Sequence, residues 1–107
     1  MLNQTIIVGR LVSDPEIKET ENGNKVSYIT LAVPRSYKNS DGIYETDFMP
    51  CKVGYPMCDN VKEYCKKGDL LGIKGRIQTR QEENKNIIEI VAERVTFLSN
   101  RKETEEE

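Results

Sequence analysis

A chain of 107 residues has room for one hydrophobic core and too little sequence for two. Its 36% apolar and 32% charged residues include no apolar run near the roughly 20 that span a bilayer. The formal net charge is −2, and the 18 acids and 16 bases include four acids and two bases in residues 101–107, which leaves 14 of each in the body. A neutral body holds a polyanion only if its bases gather on one face. Histidine is absent, and Cys51, Cys58 and Cys65 contain no C-x-x-C pair. That argues against zinc or any other metal site and for buried thiols that act as small apolar side chains. No paired acids or nucleophile motif offer general acid–base chemistry, so no catalytic residue and no cofactor are expected. Gly68, Gly72 and Gly75 do not make a phosphate loop.

In chain order, residues 4–12 (QTIIVGRLV) are rich in aliphatic and β-branched types and run into Ser13-Asp14-Pro15, a first strand closed by a turn. Asn22-Gly23 is a second turn signal. Residues 25–37 then place Ile29, Leu31 and Val33 on one parity and Tyr28, Thr30 and Ala32 on the other, the period of a second strand. Asn39-Ser40-Asp41-Gly42 is a hairpin tip, and a third strand covers about 44–53. Over 56–67 the period changes: Met57, Val61, Tyr64 and Cys65 form one helical stripe, with Pro56 in the first turn, Lys66 and Lys67 in the last, and Gly68 as a left-handed cap. A fourth strand spans 70–80 with Leu71, Ile73 and Ile77 inward. A fifth spans 87–98 beyond a polar tip at 82–85. The order β-β-β-α-β-β predicts an all-β, five-stranded Greek-key barrel with one helix between the third and fourth strands; a sandwich is the structural alternative. Residues 1–100 form the domain, and 101–107, charged and without apolar residues, form a short acidic disordered tail.

Several stretches, taken together, carry a family signature: Val8-Gly9-Arg10-Leu11, Asp14-Pro15-Glu16, Asn22-Gly23, Thr30-Leu31-Ala32-Val33, Thr46-Asp47-Phe48, Asn60-Val61 with Tyr64, Lys66-Lys67-Gly68, residues 75–80 (GRIQTR) and Val91-Ala92-Glu93. In this order and spacing the chain resembles the bacterial single-stranded DNA-binding proteins over about residues 1–98. The resemblance implies an oligonucleotide-binding (OB) fold, usually a homotetramer, that coats single-stranded DNA in replication, recombination and repair without catalysis. The family's aromatic stacking positions fall on Tyr37 and Phe48, while two more hold Gly54 and Glu82; Tyr55 substitutes for the first only if the chain shifts by a residue. Longer members end in an acidic, apolar-tipped peptide that recruits partner enzymes. Residues 105–107 are all glutamate, so recruitment by that route is not expected.

Strand parity adds its own reading. With Met49, Cys51 and Val53 inward, Phe48, Pro50 and Lys52 face outward. With the fourth strand's apolar residues inward, Lys74, Arg76, Gln78 and Arg80 form a basic row, joined by Arg35, Lys38 and Lys52 on neighbouring segments; the family resemblance adds Lys18, at a basic position of its pattern. Rings among cations suit unstacked bases on a phosphate backbone. Both parities of the last strand carry apolar residues, with Ile88, Ile90 and Ala92 on one and Ile87, Val91, Val95 and Phe97 on the other. That calls for a second cover, expected to be another subunit. No membrane partner is expected, and a start at Met1 without a basic leader predicts a cytoplasmic, nucleoid-associated protein. The competing reading is an oligomeric scaffold or interaction module on the same barrel with DNA binding weak or lost.

Overall fold

The computed structural model describes residues 1–99. Seven elements follow one another: β1 (Thr5–Leu11), β2 (Ile17–Glu19), β3 (Lys25–Lys38), β4 (Tyr44–Gly54), α1 (Met57–Tyr64), β5 (Leu70–Glu82) and β6 (Lys85–Phe97). The sheet runs β1-β5-β6-β4-β3-β2, and β1 also pairs with β3, so β1, β5, β6, β4 and β3 close on themselves as a five-stranded barrel of the OB type. Closure removes the open edges that a flat sheet would leave. β1 achieves it by pairing with β5 from Thr5↔Gly75 to Arg10↔Leu70, and with β3 at Arg10↔Ala32 and Leu11↔Leu31.

The interior is aliphatic: Leu11, Ile29, Leu31, Val53, Val61, Leu71, Ile73, Ile90 and Ala92 pack with the three buried thiols, none of them in a disulfide among the described residues. Inward Ile29 and Leu31, and inward Cys51 and Val53, follow the alternation read from the sequence. The helix contributes Cys58 and Val61 to the barrel end. Two glycines sit where strands cross. A Cβ on Gly75 would strike the carbonyl of Val91, and one on Gly9 would lie 2.7 Å from the carbonyl oxygen of Ala32. Any larger residue there must push backbone apart.

Several sequence expectations are corrected. β2 was not expected, because three residues carry no readable alternation; it forms on the free edge of β3, from Ile17↔Ser27 to Glu19↔Lys25. The helix ends at Tyr64 and not at Lys67, since Cys65 is already extended. Gly68 does take a left-handed φ of 92°, but in a turn closed by the Asp69 N–H on the Lys66 carbonyl (3.0 Å), where a glycine third residue is favoured. Ile77, expected inward, is 45% exposed. Its parity is as read, but the β1 pairing stops at Thr5↔Gly75, so beyond Gly75 strand β5 runs on paired with β6 alone. The Asn3 side chain satisfies the edge there, accepting from the Ile77 N–H (2.9 Å) and donating to its carbonyl (2.7 Å). Strict alternation puts Val95 on the parity opposite Ile90 and Ala92. A register shift, Lys74↔Arg94 followed by Gly75↔Ala92, leaves Glu93 unpaired and turns Val95 inward opposite Ile73, against the core.

Both hairpin tips behave as their residues dictate. The Asn39 side chain accepts from the Asp41 and Ile43 N–H groups (2.9 and 3.0 Å), the local bonding that makes asparagine a turn residue. Glu83 and Asn84 both have positive φ, 52° and 66°, the two-residue turn whose twist suits a hairpin.

Candidate nucleic-acid interface

All seven aromatic side chains of the protein, five Tyr and two Phe, are at least 41% exposed, and the core contains none. A chain that builds its interior from aliphatic and thiol groups while leaving every ring in solvent forgoes the large burial that rings offer. Register shows which rings share a surface. Residues opposite each other on paired strands point to the same side, so Tyr28↔Lys52, Thr30↔Pro50 and Ala32↔Phe48 lie on one face of β3 and β4. Lys52↔Val91 and Arg76↔Val91 carry that face across β6 to β5, and Lys18↔Val26 carries it to β2. Lys52, Lys74, Arg76, Arg80 and Phe48 thus come together on the outer side of the barrel, as strand parity predicts, and Lys18 joins them through β2. Phe48 is 64% exposed.

Tyr37, 63% exposed, stands further out. The β3–β4 register shifts between Pro34 and Lys38, and Tyr37 occupies this irregular stretch near the hairpin tip. Lys38 lies 5.7 Å above the ring of Tyr44, within cation–π range. Tyr55 follows the end of β4. Gly54 keeps its pairing with Val26 and no register shift occurs there, so Tyr55 does not move into the position of residue 54. Its ring instead lies under Lys25, 5.6 Å from the ammonium, beside a cleft of about 250 Å³ formed with Gly23 and Asn24.

Three arginines of the predicted basic row already have anionic partners. Arg35 grips Asp47 through two nitrogens (3.0 and 3.1 Å) and Glu45 through a third (2.7 Å). The hydrogen bond and charge of Asp47 raise the guanidinium pKa, and the same bond holds the Asp47 carboxyl below the usual range. Arg80 bonds Glu89 at 2.8 Å and Glu82 at 3.1 Å, and its pKa is raised chiefly by the bond to Glu89. Arg76 reaches Glu93 at 3.5 Å. Among the described residues, Lys18, Lys38, Lys52 and Lys74 form no ion pair within 4.0 Å. Glu89 is only 2% exposed although it faces the outer side; Gln78 completes its shell at 3.3 Å.

Tyr28 was not among the residues singled out from sequence. Its signal was present, since it alternates with Ile29 and Leu31 and had to face outward. Glu82, at the other aromatic position, is a rim residue of the β5–β6 hairpin tied to Arg80. Among the described residues no group of three or more acids or cysteines is arranged to hold a metal, and no helix is long and apolar enough to cross a membrane.

A closed five-stranded barrel with outward rings interleaved with cations is the form of an oligonucleotide-binding module. The family model described as the Single-strand binding protein family matches residues 2–98, and the chain belongs to this family, one defined by binding and not by catalysis. It is 47% identical to Single-stranded DNA-binding protein 2 of Staphylococcus aureus strain Mu50 over 103 residues, 92% of this chain and 73% of that protein. It is 42% identical to Single-stranded DNA-binding protein B of Bacillus subtilis, covering 92% of this chain and 91% of the relative. A single-stranded DNA-binding protein of Halalkalibacterium halodurans is 45% identical over 94% of this chain and 63% of its own length.

Proposed function

We propose that this protein binds single-stranded DNA without sequence preference and protects it in replication, recombination or repair. Bases stack on Tyr37 and Phe48, with Tyr55 at the rim, while Lys18, Lys38, Lys52 and Lys74 neutralise phosphates. Arg35, Arg76 and Arg80 join only by exchanging carboxylate partners for phosphate ones. The observation that carries this reading is the exclusion of every ring from the core, with Phe48 and Lys52 on one outward face. A ring that stacks a base contributes about 1–3 kcal/mol whatever the base, which yields affinity without sequence preference. With Gly54 and Glu82 at two stacking positions, binding is weaker than a full aromatic set would give.

The assembly we propose is a homo-oligomer, a tetramer by family resemblance, in a cytoplasmic, nucleoid-associated setting. Support comes from Ile6 and Val8 on β1 and Ile88 on β6, all exposed aliphatics that a second subunit would cover. A second reading, a scaffold with DNA binding largely lost, draws on the carboxylates that occupy Arg35, Arg76 and Arg80.

Fluorescence anisotropy with labelled oligo-dT and with a duplex of equal length separates the two. Binding that prefers oligo-dT and weakens with salt, with a logarithmic slope of about −0.7 per phosphate neutralised, is expected. A protein that binds neither strand form is the scaffold, and oligo-dT binding independent of salt would contradict the cationic track.

A further inference from the structure

We infer that Tyr28 is a further base-stacking site, one that makes up for the glycine at position 54. This deepens the single-strand reading above and rests on it. Tyr28 lies on the same face as Phe48, because Tyr28↔Lys52 and Ala32↔Phe48 belong to one uninterrupted stretch of β3–β4 pairing. Lys52 is four residues from Phe48, so the two platforms stand roughly 13 Å apart along the strand.

Gly54 pairs with Val26, two residues from Tyr28. Positions so related are diagonal neighbours on a sheet face, within reach of an aromatic side chain. A Cβ built on Gly54 meets nothing within 4 Å, so no side chain crowds that position of the face. On the other side a cleft of about 290 Å³ is bounded by Tyr28, Lys18, Ser13, Asp14 and Glu16.

The ring is also held in place. The Arg80 guanidinium lies over it, 5.2 Å from the centroid, and Arg80 is fixed by its 2.8 Å bond to Glu89, which is buried. A ring pinned on one side and 44% exposed loses little freedom when a base settles on it. Lys52 opposite, and Lys18 at the cleft, supply cations for the phosphates on either side of that base. Neither has an ion pair among the described residues.

The protein contains no tryptophan, so Tyr28→Trp and Phe48→Trp each place a single indole whose emission reports stacking directly. In the full-length protein titrated with oligo-dT, emission from Tyr28→Trp is expected to fall in step with anisotropy and saturate at the same stoichiometry. Tyr28→Leu, which keeps apolar bulk without a ring, is expected to weaken binding about ten-fold, and Tyr28→Phe to bind as the wild type does. Unchanged Tyr28→Trp emission at saturation, alongside quenching of Phe48→Trp, overturns the role of Tyr28 and leaves the single-strand reading intact. Absence of oligo-dT binding by the wild type overturns both.

Discussion

The inside and the outer face of this barrel are built from different chemistries. Inside, Leu31, Val53, Val61, Leu71 and Ile73 are fully enclosed with no ring among them; outside, Tyr28, Tyr37, Tyr44, Phe48 and Tyr55 stand in water. The core is what closes the barrel and fixes the register, and the register alone decides which side chains share the outer face. Stability and binding should therefore separate by mutation.

The largest effect should come from the core. Leu71→Ala is expected to destabilise the fold by about 2–5 kcal/mol, read as a lower urea midpoint at unchanged slope, while affinity for oligo-dT is retained under conditions where the variant stays folded. An equally large loss of stability in Phe48→Ala, or normal stability in Leu71→Ala, would break the division between the two regions.

A finer distinction lies among the cations. Lys52 has no ion pair among the described residues, and Arg35 is clasped by Asp47 and Glu45. Lys52→Gln should reduce the salt slope of oligo-dT binding by about 0.7, whereas Arg35→Gln should change it less, because its charge is already answered by carboxylates. Equal slopes for the two variants would mean that DNA displaces the carboxylates freely.

The smallest expected effect is on pH dependence and belongs to the core. Burial, with the Glu89 charge as a lesser cause, pushes the Cys51 thiol up to about 12, above its ordinary value near 8.5. A thiol whose folded pKa is raised favours folding below the unfolded pKa and loses that contribution as pH rises above about 9 toward 12. Urea midpoints measured from pH 8 to 10.5 should fall less steeply in Cys51→Ala than in the wild type. Parallel slopes would show that Cys51 contributes nothing to the alkaline limb.

Much of this division was legible in the residues. The alternation of Ile29, Leu31 and Val33 with Tyr28, Thr30 and Ala32, and the helical stripe through Val61, define elements that the fold contains. Phe48 and Lys52 faced outward for the reason strand period gives. What could not be read were effects of closure. Ile77 loses its cover because β1 ends opposite Gly75, and Val95 turns inward because Glu93 is left out of the pairing; neither event has a local signature. The partners of Arg35 and Arg80 were hidden for a similar reason, since Asp47 and Glu89 reach them across strands 12 and 9 residues away. Tyr28 is the opposite case, readable by parity yet overlooked among residues chosen by family position.

The most direct measurement is the affinity of Tyr37→Ala/Phe48→Ala for labelled oligo-dT, made on protein whose unfolding midpoint and oligomeric state match the wild type. Loss of two stacked bases at about 1–3 kcal/mol each should weaken binding at least about thirty-fold. Unaltered affinity in that variant would contradict the assignment of this outer face to nucleic acid.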